Sequence, residues 1–288
     1  MEFTTKTEAT LLAIVKQKTG VHSNTRARKM IKFGKVAVNG VVIKAPESLV
    51  KAESKVLIDQ SKSSAPVVED IIAFPFETLM MDDKVVAFIK PAGLAVRTEN
   101  DKLASVERKL ATWCRKSENT MPFLLNKVDK NESGILLAAL DNETFNFIYT
   151  KRQEITSRWY AIVEGRLSED GHLKHDLDKN KIGILFSAPG SSTALPAELV
   201  YRVMQTGNSY SLLKVEPKTA VHNQVRAQLA LHRFPIAGDK KYKAKTKPLG
   251  RLCLHLFSLK FEHPSKGKME VKTQVPREFL NLVKQTNA

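Results

Sequence analysis

The N-terminal part of the chain shows two hydrophobic periods in succession. Over residues 8–19, and again from a polar break at residues 23–25 to Phe33, apolar residues recur every three or four positions, which predicts two helices. Polar and apolar residues then alternate over residues 34–43, as they do in paired strands, and Asn39-Gly40 is a typical two-residue hairpin turn. We therefore expect a small compact unit over residues 1–60.

A different pattern of residues follows this N-terminal unit. Residues 60–66 are polar, with a run of Ser and Lys and a closing Pro, and they lack periodicity. This predicts a linker, which we place at residues 61–73. From residue 74 to residue 288 short β-rich runs alternate with a few helical stretches, which predicts an α+β domain around a mainly antiparallel mixed sheet. The predicted strands include residues 84–89, 134–140, 159–163, 197–201 and 210–215, and the predicted helices include residues 104–116, 142–152 and 225–232.

The charge of the chain points to a polyanionic partner. Lysine and arginine number 46 against 30 acidic residues, which gives a formal net charge of +16. Basic charge attracts phosphate backbones whatever their sequence. An anionic membrane is the competing partner, but no segment combines a long basic face with an apolar face rich in Trp, Phe and Leu. Nucleic acid is the better prediction, and a DNA-binding regulator is disfavoured because no recognition helix or dimer element is recognisable.

Cysteine usage and hydropathy set the expected compartment. The two cysteines, Cys114 and Cys253, have no close pairing and no cluster of Cys and His at metal-ligand spacing. This pattern argues against a disulfide framework and a zinc site. The N-terminus lacks a basic segment followed by an apolar one, and apolar runs such as residues 134–140 are too short to cross a bilayer. We expect a cytoplasmic protein that does not enter membranes.

The second predicted helix has a basic face. Arg26, Lys29 and Lys32 recur every three residues, and Arg28 and Lys35 lie nearby. With the hairpin that follows, residues 10–58 resemble the αL RNA-binding module shared by a small-subunit ribosomal protein and several RNA-modifying enzymes. The resemblance implies that these five basic residues contact RNA. An ordinary solvated helix face is the alternative.

Residues 124–137 place one short carboxylate, Asp129, in a polar turn between two apolar runs. They resemble the His-Arg-Leu-Asp-Arg-x-x-Ser-Gly-Leu-Leu-Leu signature of RluA-type RNA pseudouridine synthases, with Asn126-Lys127-Val128-Asp129 in place of His-Arg-Leu-Asp. A plain turn is the alternative, since Asp, Asn, Ser and Gly all favour turns. Further segments resemble the same family in the same order: residues 90–96, 158–165, 218–227 with 234–242, and 248–255 with His263-Pro264 and Val275-Pro276.

The resemblance implies a reaction on structured RNA, ribosomal or transfer, that needs no cofactor and no metal, carried out by a monomer. Asp129 would act on the target uridine, and Arg226 would keep it ionised as a nearby cation, for which a guanidinium is suited by its two-pronged pairing with carboxylates. Tyr160 would stack on the extruded base and take part in the last proton transfer. Histidines 222, 255 and 263 are not spaced as a metal site or a triad, and we expect them to pack or to form hydrogen bonds.

Four residues depart from the family pattern: Asn126, Lys127, Ala220 and Val221. Lys127 stands where the family has an arginine that enters the RNA helix, and it would contact RNA through its charge alone. Ala220 and Val221 replace a Gly-Arg pair and remove one cation. These departures leave open a second hypothesis, a non-catalytic RNA-binding protein or RNA chaperone on a degenerate synthase scaffold.

Overall fold

The structure is a computed structural model, and it describes residues 1–20, 24–59, 73–100, 103–117 and 120–285. The chain divides into two compact units, Met1–Ile71 and Ile72–Ala288. The predicted linker, apart from residue 73, and residue 23 of the predicted polar break lie outside the described residues. Each unit is described below by itself.

The first unit packs two helices against short strands. A four-stranded sheet has the order β1-β6-β3-β4, and β2 pairs with β5. Helix α1 is shorter than predicted because Thr10 caps it: the Thr10 side chain accepts a hydrogen bond from the Ala13 N–H at 3.3 Å. The elements are β1 (Glu2–Thr4), β2 (Ala9–Thr10), α1 (Leu11–Thr19), α2 (Asn24–Lys32), β3 (Val36–Val38), β4 (Val41–Val42), β5 (Leu49–Val50) and β6 (Lys55–Ile58).

The second predicted helix and the predicted hairpin of this unit are both confirmed. Ala27 and Ile31 of α2 are fully buried in the core, so the basic positions between them face away from it. The strands β3 and β4 are joined by Asn39 and Gly40, whose φ angles of 50° and 81° are those that a tight hairpin turn requires.

The second unit is built around one large sheet. Its strand order is β13-β12-β14-β15-β11-β16-β10-β8-β7, with β17 added beside β16 and β9 beside β10. Its elements are β7 (Thr78–Met81), β8 (Val85–Lys90), α3 (Val106–Ser117), β9 (Phe123–Leu124), β10 (Ser133–Ala139), α4 (Asn142–Thr150), β11 (Thr156–Glu164), β12 (Gly171–Lys179), β13 (Leu185–Ser187), β14 (Leu195–Thr206), β15 (Tyr210–Pro217), α5 (Gln224–Leu231), β16 (Leu254–His263), β17 (Gly267–Lys272) and α6 (Arg277–Gln285).

Among the described strands, β10 and β16 alone run parallel, and every other pairing in this sheet is antiparallel. The predicted α+β class with a mainly antiparallel mixed sheet is confirmed. Gly134 makes the parallel pairing possible: its φ is +126°, and a Cβ atom there would lie 2.3 Å from the Leu256 carbonyl oxygen. This pairing fixes the start of β10 at Ser133, just beyond the turn that contains Asp129.

Two large hydrophobic clusters fill most of this unit, and a third, small one contains Leu177, Ala197, Ala227 and Tyr242. One lies under α3 and α4 and contains the apolar residues of β8 and β10, whose strands are buried along nearly their whole length. The other lies between the central strands and helices α5 and α6. No helix in the described part of the chain is long and apolar enough to cross a membrane.

Candidate active site

Asp129 opens onto a cavity of about 350 Å³ in the second unit. Three segments form its wall: the turn before β10, strand β11, and the loop that leads into α5. The lining residues include Lys127, Asp129, Glu132, Ser157, Trp159, Pro217, residues 219–226 and Leu254. The site thus gathers residues from sequence segments that lie nearly 100 positions apart.

Hydrogen bonds from two side chains to backbone groups hold the turn that carries Asp129. The Asn126 side chain donates to the Ile135 carbonyl at 2.9 Å and accepts from the Leu137 N–H at 2.8 Å, which ties the turn to β10. On the other side, the buried Lys90 ammonium donates to the carbonyls of Lys130 at 3.3 Å and Glu132 at 2.7 Å. Burial lowers the Lys90 pKa to about 8. Asn126, which departs from the family pattern, therefore has a clear structural role.

Glu132 places a second carboxyl group beside Asp129. The Asp129 N–H donates to Glu132 Oε2 at 2.8 Å, and the Glu132 N–H donates back to the Asp129 carbonyl at 3.1 Å. Burial raises the pKa of Glu132 to about 7, and the neighbouring Asp129 charge acts in the same direction. The Asp129 side chain is by contrast 37% exposed. Sequence reasoning missed Glu132, because a carboxylate in a turn gives no sign of its burial.

Arg226, in the first turn of α5, makes its two-pronged pair with another residue. Its guanidinium donates to both carboxylate oxygens of Asp239 at 2.7 Å, and its Nη1 donates to Asn223 at 2.9 Å. The distance from Nη1 to Asp129 Oδ2 is 3.7 Å, which is charge proximity without a hydrogen bond. Arg226 is thus a cation near Asp129, as expected, but its two-pronged pair is with Asp239. Asp239 anchors the cation, and Asp129 keeps its oxygens open to the cavity.

His222 also lies near the carboxylate. Its Nε2 is 3.7 Å from Asp129 Oδ2, and its side chain is 63% exposed at the cavity rim. The sequence assigned it no chemistry because nothing in its spacing relates it to Asp129. The loop that carries it is fixed by Gln224, whose side chain accepts from Thr219 Oγ1 and from the Val221 N–H and donates to the Glu198 carbonyl.

The structure brings Trp159, and not Tyr160, to the cavity. Successive residues of a strand face opposite sides of the sheet, and Trp159 lines the wall beside Asp129 while Tyr160 stacks on Phe257 with ring centroids 3.9 Å apart. Tyr160 is thus not positioned as the resemblance implied. The signal for Trp159 was present in the sequence: counting back from Ala161, Val163 and Gly165 in steps of two selects Trp159 for the same face.

The predicted RNA-contacting residues fall on both units. Lys127 is exposed and lines the cavity, whose wall also includes Ala220 and Val221. In the first unit Lys29 and Lys32 are exposed, Lys35 is half-buried, and Arg28 pairs with Glu47 at 2.5 Å. The side chain of Arg26 lies outside the described part of the structure. Among the described residues, no group of three or more His, Cys, Asp and Glu side chains is placed to hold a metal ion.

Comparison with known proteins agrees with this arrangement. The RNA pseudouridylate synthase family model matches residues 84–231, and an S4 domain model matches residues 10–56. The chain belongs to the RNA pseudouridylate synthase family. Its fold is that of human RNA pseudouridylate synthase domain containing 4, with a TM-score of 0.60 at 19% identity, covering 73% of this chain and 92% of that one.

Sequence relatives of this family member cover most of its length. An uncharacterized RNA pseudouridine synthase of Bacillus subtilis is 24% identical over 91% of this chain and 88% of its own. A ribosomal large subunit pseudouridine synthase D of Haemophilus ducreyi is 22% identical over 91% and 86%. A tRNA pseudouridine synthase C of the same organism is 29% identical over 65% and 86%. The predicted family, its N-terminal S4 domain and its enzyme class are confirmed.

Proposed function

We propose that this synthase isomerises uridine to pseudouridine in structured RNA, ribosomal or transfer, and that Asp129 is its catalytic residue. The observation that carries the proposal is the environment of the carboxylate. Asp129 is the partly exposed acid of a cavity that also presents an aromatic wall and a fixed cation. An acid placed in this way can act on a base that has been turned out of the RNA.

The reaction breaks one bond and forms another at the same ribose carbon. The bond from C1′ to N1 of uracil breaks, the base turns, C1′ joins C5, the proton on C5 is lost, and N1 gains a proton. An ionised carboxylate serves as nucleophile or counter-charge during this exchange. Arg226 places a positive charge 3.7 Å from Asp129, while its pair with Asp239 prevents it from closing on Asp129 and blocking it.

Trp159 supplies the flat surface on which the extruded uracil stacks. Stacking of a base on an aromatic ring tolerates rotation of the base in its own plane, which the reaction needs. The indole ring has no hydroxyl oxygen that could accept a proton, and its N–H group is a donor only. In this chain the aromatic residue therefore holds the base and does not accept the C5 proton.

The substrate class follows from the relatives and from the charge. The named relatives act on large-subunit ribosomal RNA or on transfer RNA. The S4 domain adds a second basic surface, with Arg28, Lys29, Lys32 and Lys35 as its RNA contacts. Lys127, at the rim of the cavity, contacts the RNA as a point charge, because an ammonium lacks the planar surface of a guanidinium.

The experiment is chemical mapping of pseudouridine in total cellular RNA. Three strains are compared: one with the intact gene, one with Asp129→Asn, and one with Glu77→Asn as an exposed control on the same unit. We expect one or a few sites to be lost in the Asp129→Asn strain alone, which also names the RNA. An unchanged map with Asp129→Asn protein present at normal levels would overturn the catalytic proposal and favour the RNA-binding or chaperone hypothesis.

A further inference from the structure

A second cavity, of about 360 Å³, lies next to the first in the same unit. Arg226 contributes to the walls of both cavities. Asn131, two residues after Asp129, lines the second one, together with Ala92 and Gly93 and residues of the segment from Gly238 to Leu252. The two cavities are therefore neighbours on either side of the turn that carries the catalytic acid.

The two cavities differ in chemistry. The first is lined by Trp159 and by the aliphatic side chains of Val221, Val225 and Leu254, which suit an uncharged base. The described lining of the second contains no aromatic ring, and its cations are Arg226, Lys240, Lys241, Lys247 and Arg251. A concave surface with this charge suits a phosphate group.

Three of these cations are available to a ligand. Arg226 is paired with Asp239 at 2.7 Å, and Arg251 with Glu278 at 2.9 Å. The exposed lysines 240, 241 and 247 have no acidic partner within the described part of the chain. They belong to the segment 240–251, which contains six basic residues and no acidic one. We call residues 240–247 the lysine loop.

The lysine loop is held in place at both ends. Near its end, the carboxylate of Glu164, itself at the end of β11, accepts hydrogen bonds from the N–H groups of Lys245 at 3.0 Å and Thr246 at 2.6 Å. At its start, the Asp239 side chain accepts from the Tyr242 N–H at 3.3 Å while it also holds Arg226. The loop is thereby coupled to the catalytic cation, and its lysines project from a fixed backbone.

We propose that the lysine loop binds backbone phosphates of the RNA strand next to the extruded uridine. The inference rests on the proposed function, because a base in the first cavity brings its own ribose and the adjoining phosphates to the rim of that cavity. The second cavity offers the cations on that rim. Phosphate contacts of this kind fix the register of the strand without reading its sequence.

The test is the salt dependence of RNA binding by the full chain. Lys240→Gln, Lys241→Gln and Lys247→Gln are combined in one variant, and Lys109→Gln, Lys268→Gln and Lys284→Gln in a control that removes the same charge from exposed positions outside both cavities. Both carry Asp129→Asn, so that turnover does not disturb binding. The probes are bulk ribosomal RNA and bulk transfer RNA.

We expect the lysine-loop variant to bind at least one of the two RNAs about tenfold more weakly than the control at physiological salt. The slope of log affinity against log salt concentration is negative, and its magnitude should be smaller by about 2 in the lysine-loop variant, since each lost single-strand phosphate contact accounts for about 0.7. Equal slopes for the two variants on both RNAs would overturn the proposal. Single lysine substitutions, each expected to remove about a third of the effect, provide the same test if the triple variant folds poorly.

Mapping of pseudouridine separates this proposal from the proposed function. If the wild-type chain makes no Asp129-dependent pseudouridine while the lysine-loop slope falls, the proposed function is overturned and a phosphate site is supported. If Asp129-dependent pseudouridine forms and the two slopes are equal, the proposed function is supported and the lysine-loop site is overturned.

Discussion

At the scale of single residues, Asp129 and Glu132 show how one cavity holds two carboxyl groups in different environments. Asp129 is partly exposed, whereas Glu132 is buried behind it and bonded to its backbone N–H at 2.8 Å. The reference pKa of Glu132 is 4.5, and its pKa in the folded protein is about 7. Between these two values the folded protein binds a proton that the unfolded chain has lost.

The stability contribution of Glu132 should therefore fall as the pH rises from about 4.5 to about 7 and stay constant above that. Glu132→Gln removes the titrating group and keeps the hydrogen bond to Asp129. We expect the free energy of unfolding of this variant, minus that of wild type, to be about 2 to 3 kcal/mol larger at pH 8 than at pH 5, because wild type alone loses stability over that range. Urea unfolding at the two pH values measures this change, with Glu77→Gln as control. A difference between Glu132→Gln and wild type that is the same at pH 5 and at pH 8 would contradict the burial of Glu132.

Trp159 and Tyr160 provide a second prediction at this scale, because they face opposite sides of the sheet. Trp159→Ala should lower the single-turnover rate at limiting RNA by about 5- to 150-fold, since stacking of a base on a ring is worth about 1–3 kcal/mol. Trp159→Phe keeps a ring and should retain most of the rate. Tyr160→Phe should change it by less than about twofold. A large loss with Tyr160→Phe and none with Trp159→Ala would contradict the assignment.

At the scale of secondary-structure elements, the site depends on the parallel pairing of β10 with β16. Gly134→Ala would place a Cβ atom 2.3 Å from the Leu256 carbonyl oxygen at a φ of +126°. We expect a loss of at least about 3 kcal/mol in the free energy of unfolding. Gly267→Ala is the control: its φ is +70° with no atom within 4 Å, and a loss of about 1 kcal/mol is expected. Equal losses would show that close packing at Gly134 is unimportant.

Helix α5 supports another prediction, since it sets the distance between Arg226 and Asp129. Arg226→Lys keeps the charge but cannot form the two-pronged bond to Asp239. We expect a rate about 100-fold lower, because small displacements in an active site cost that much, while RNA affinity changes little. Single-turnover kinetics and filter binding measure the two effects, with the exposed Arg277→Lys as control. A fully active Arg226→Lys would mean that charge alone is needed.

Some elements with strong periodicity could be predicted from the sequence, and others could not. The fully buried β10 and the amphipathic α2 were recognisable from their residues. Strands β12 and β17 were missed because their patterns are mixed, with only two buried leucines in β12 and only Val271 buried in β17. The largely buried β16 and the amphipathic α6 were missed although their patterns are regular. Asp129 and Arg226 could be assigned to a site by resemblance. Asp239, Glu132 and Trp159 required the tertiary structure, because burial, pairing and the facing side of a strand are properties of the packed fold.

At the scale of the whole molecule, charge is distributed according to function. The net charge of +16 is shared between the S4 domain and the catalytic unit, where the lysine loop is its densest segment. Such a surface accelerates encounters with RNA and makes affinity depend on salt. Charge of this kind does not choose the base, and in the proposed function that choice belongs to the cavity that contains Asp129 and Trp159.

In the proposed function, the carboxylate of Asp129 drives the replacement of the C1′–N1 bond by a C1′–C5 bond, with loss of the hydrogen at C5 of uridine. The most direct measurement uses purified chain and ribosomal and transfer RNA from cells that lack the gene, with tritium at C5 of uridine. Wild type should release tritium as C5 joins C1′, and Asp129→Asn should bind the RNA equally well and release none. Equal release by the two proteins, or binding without release by wild type, would contradict the account.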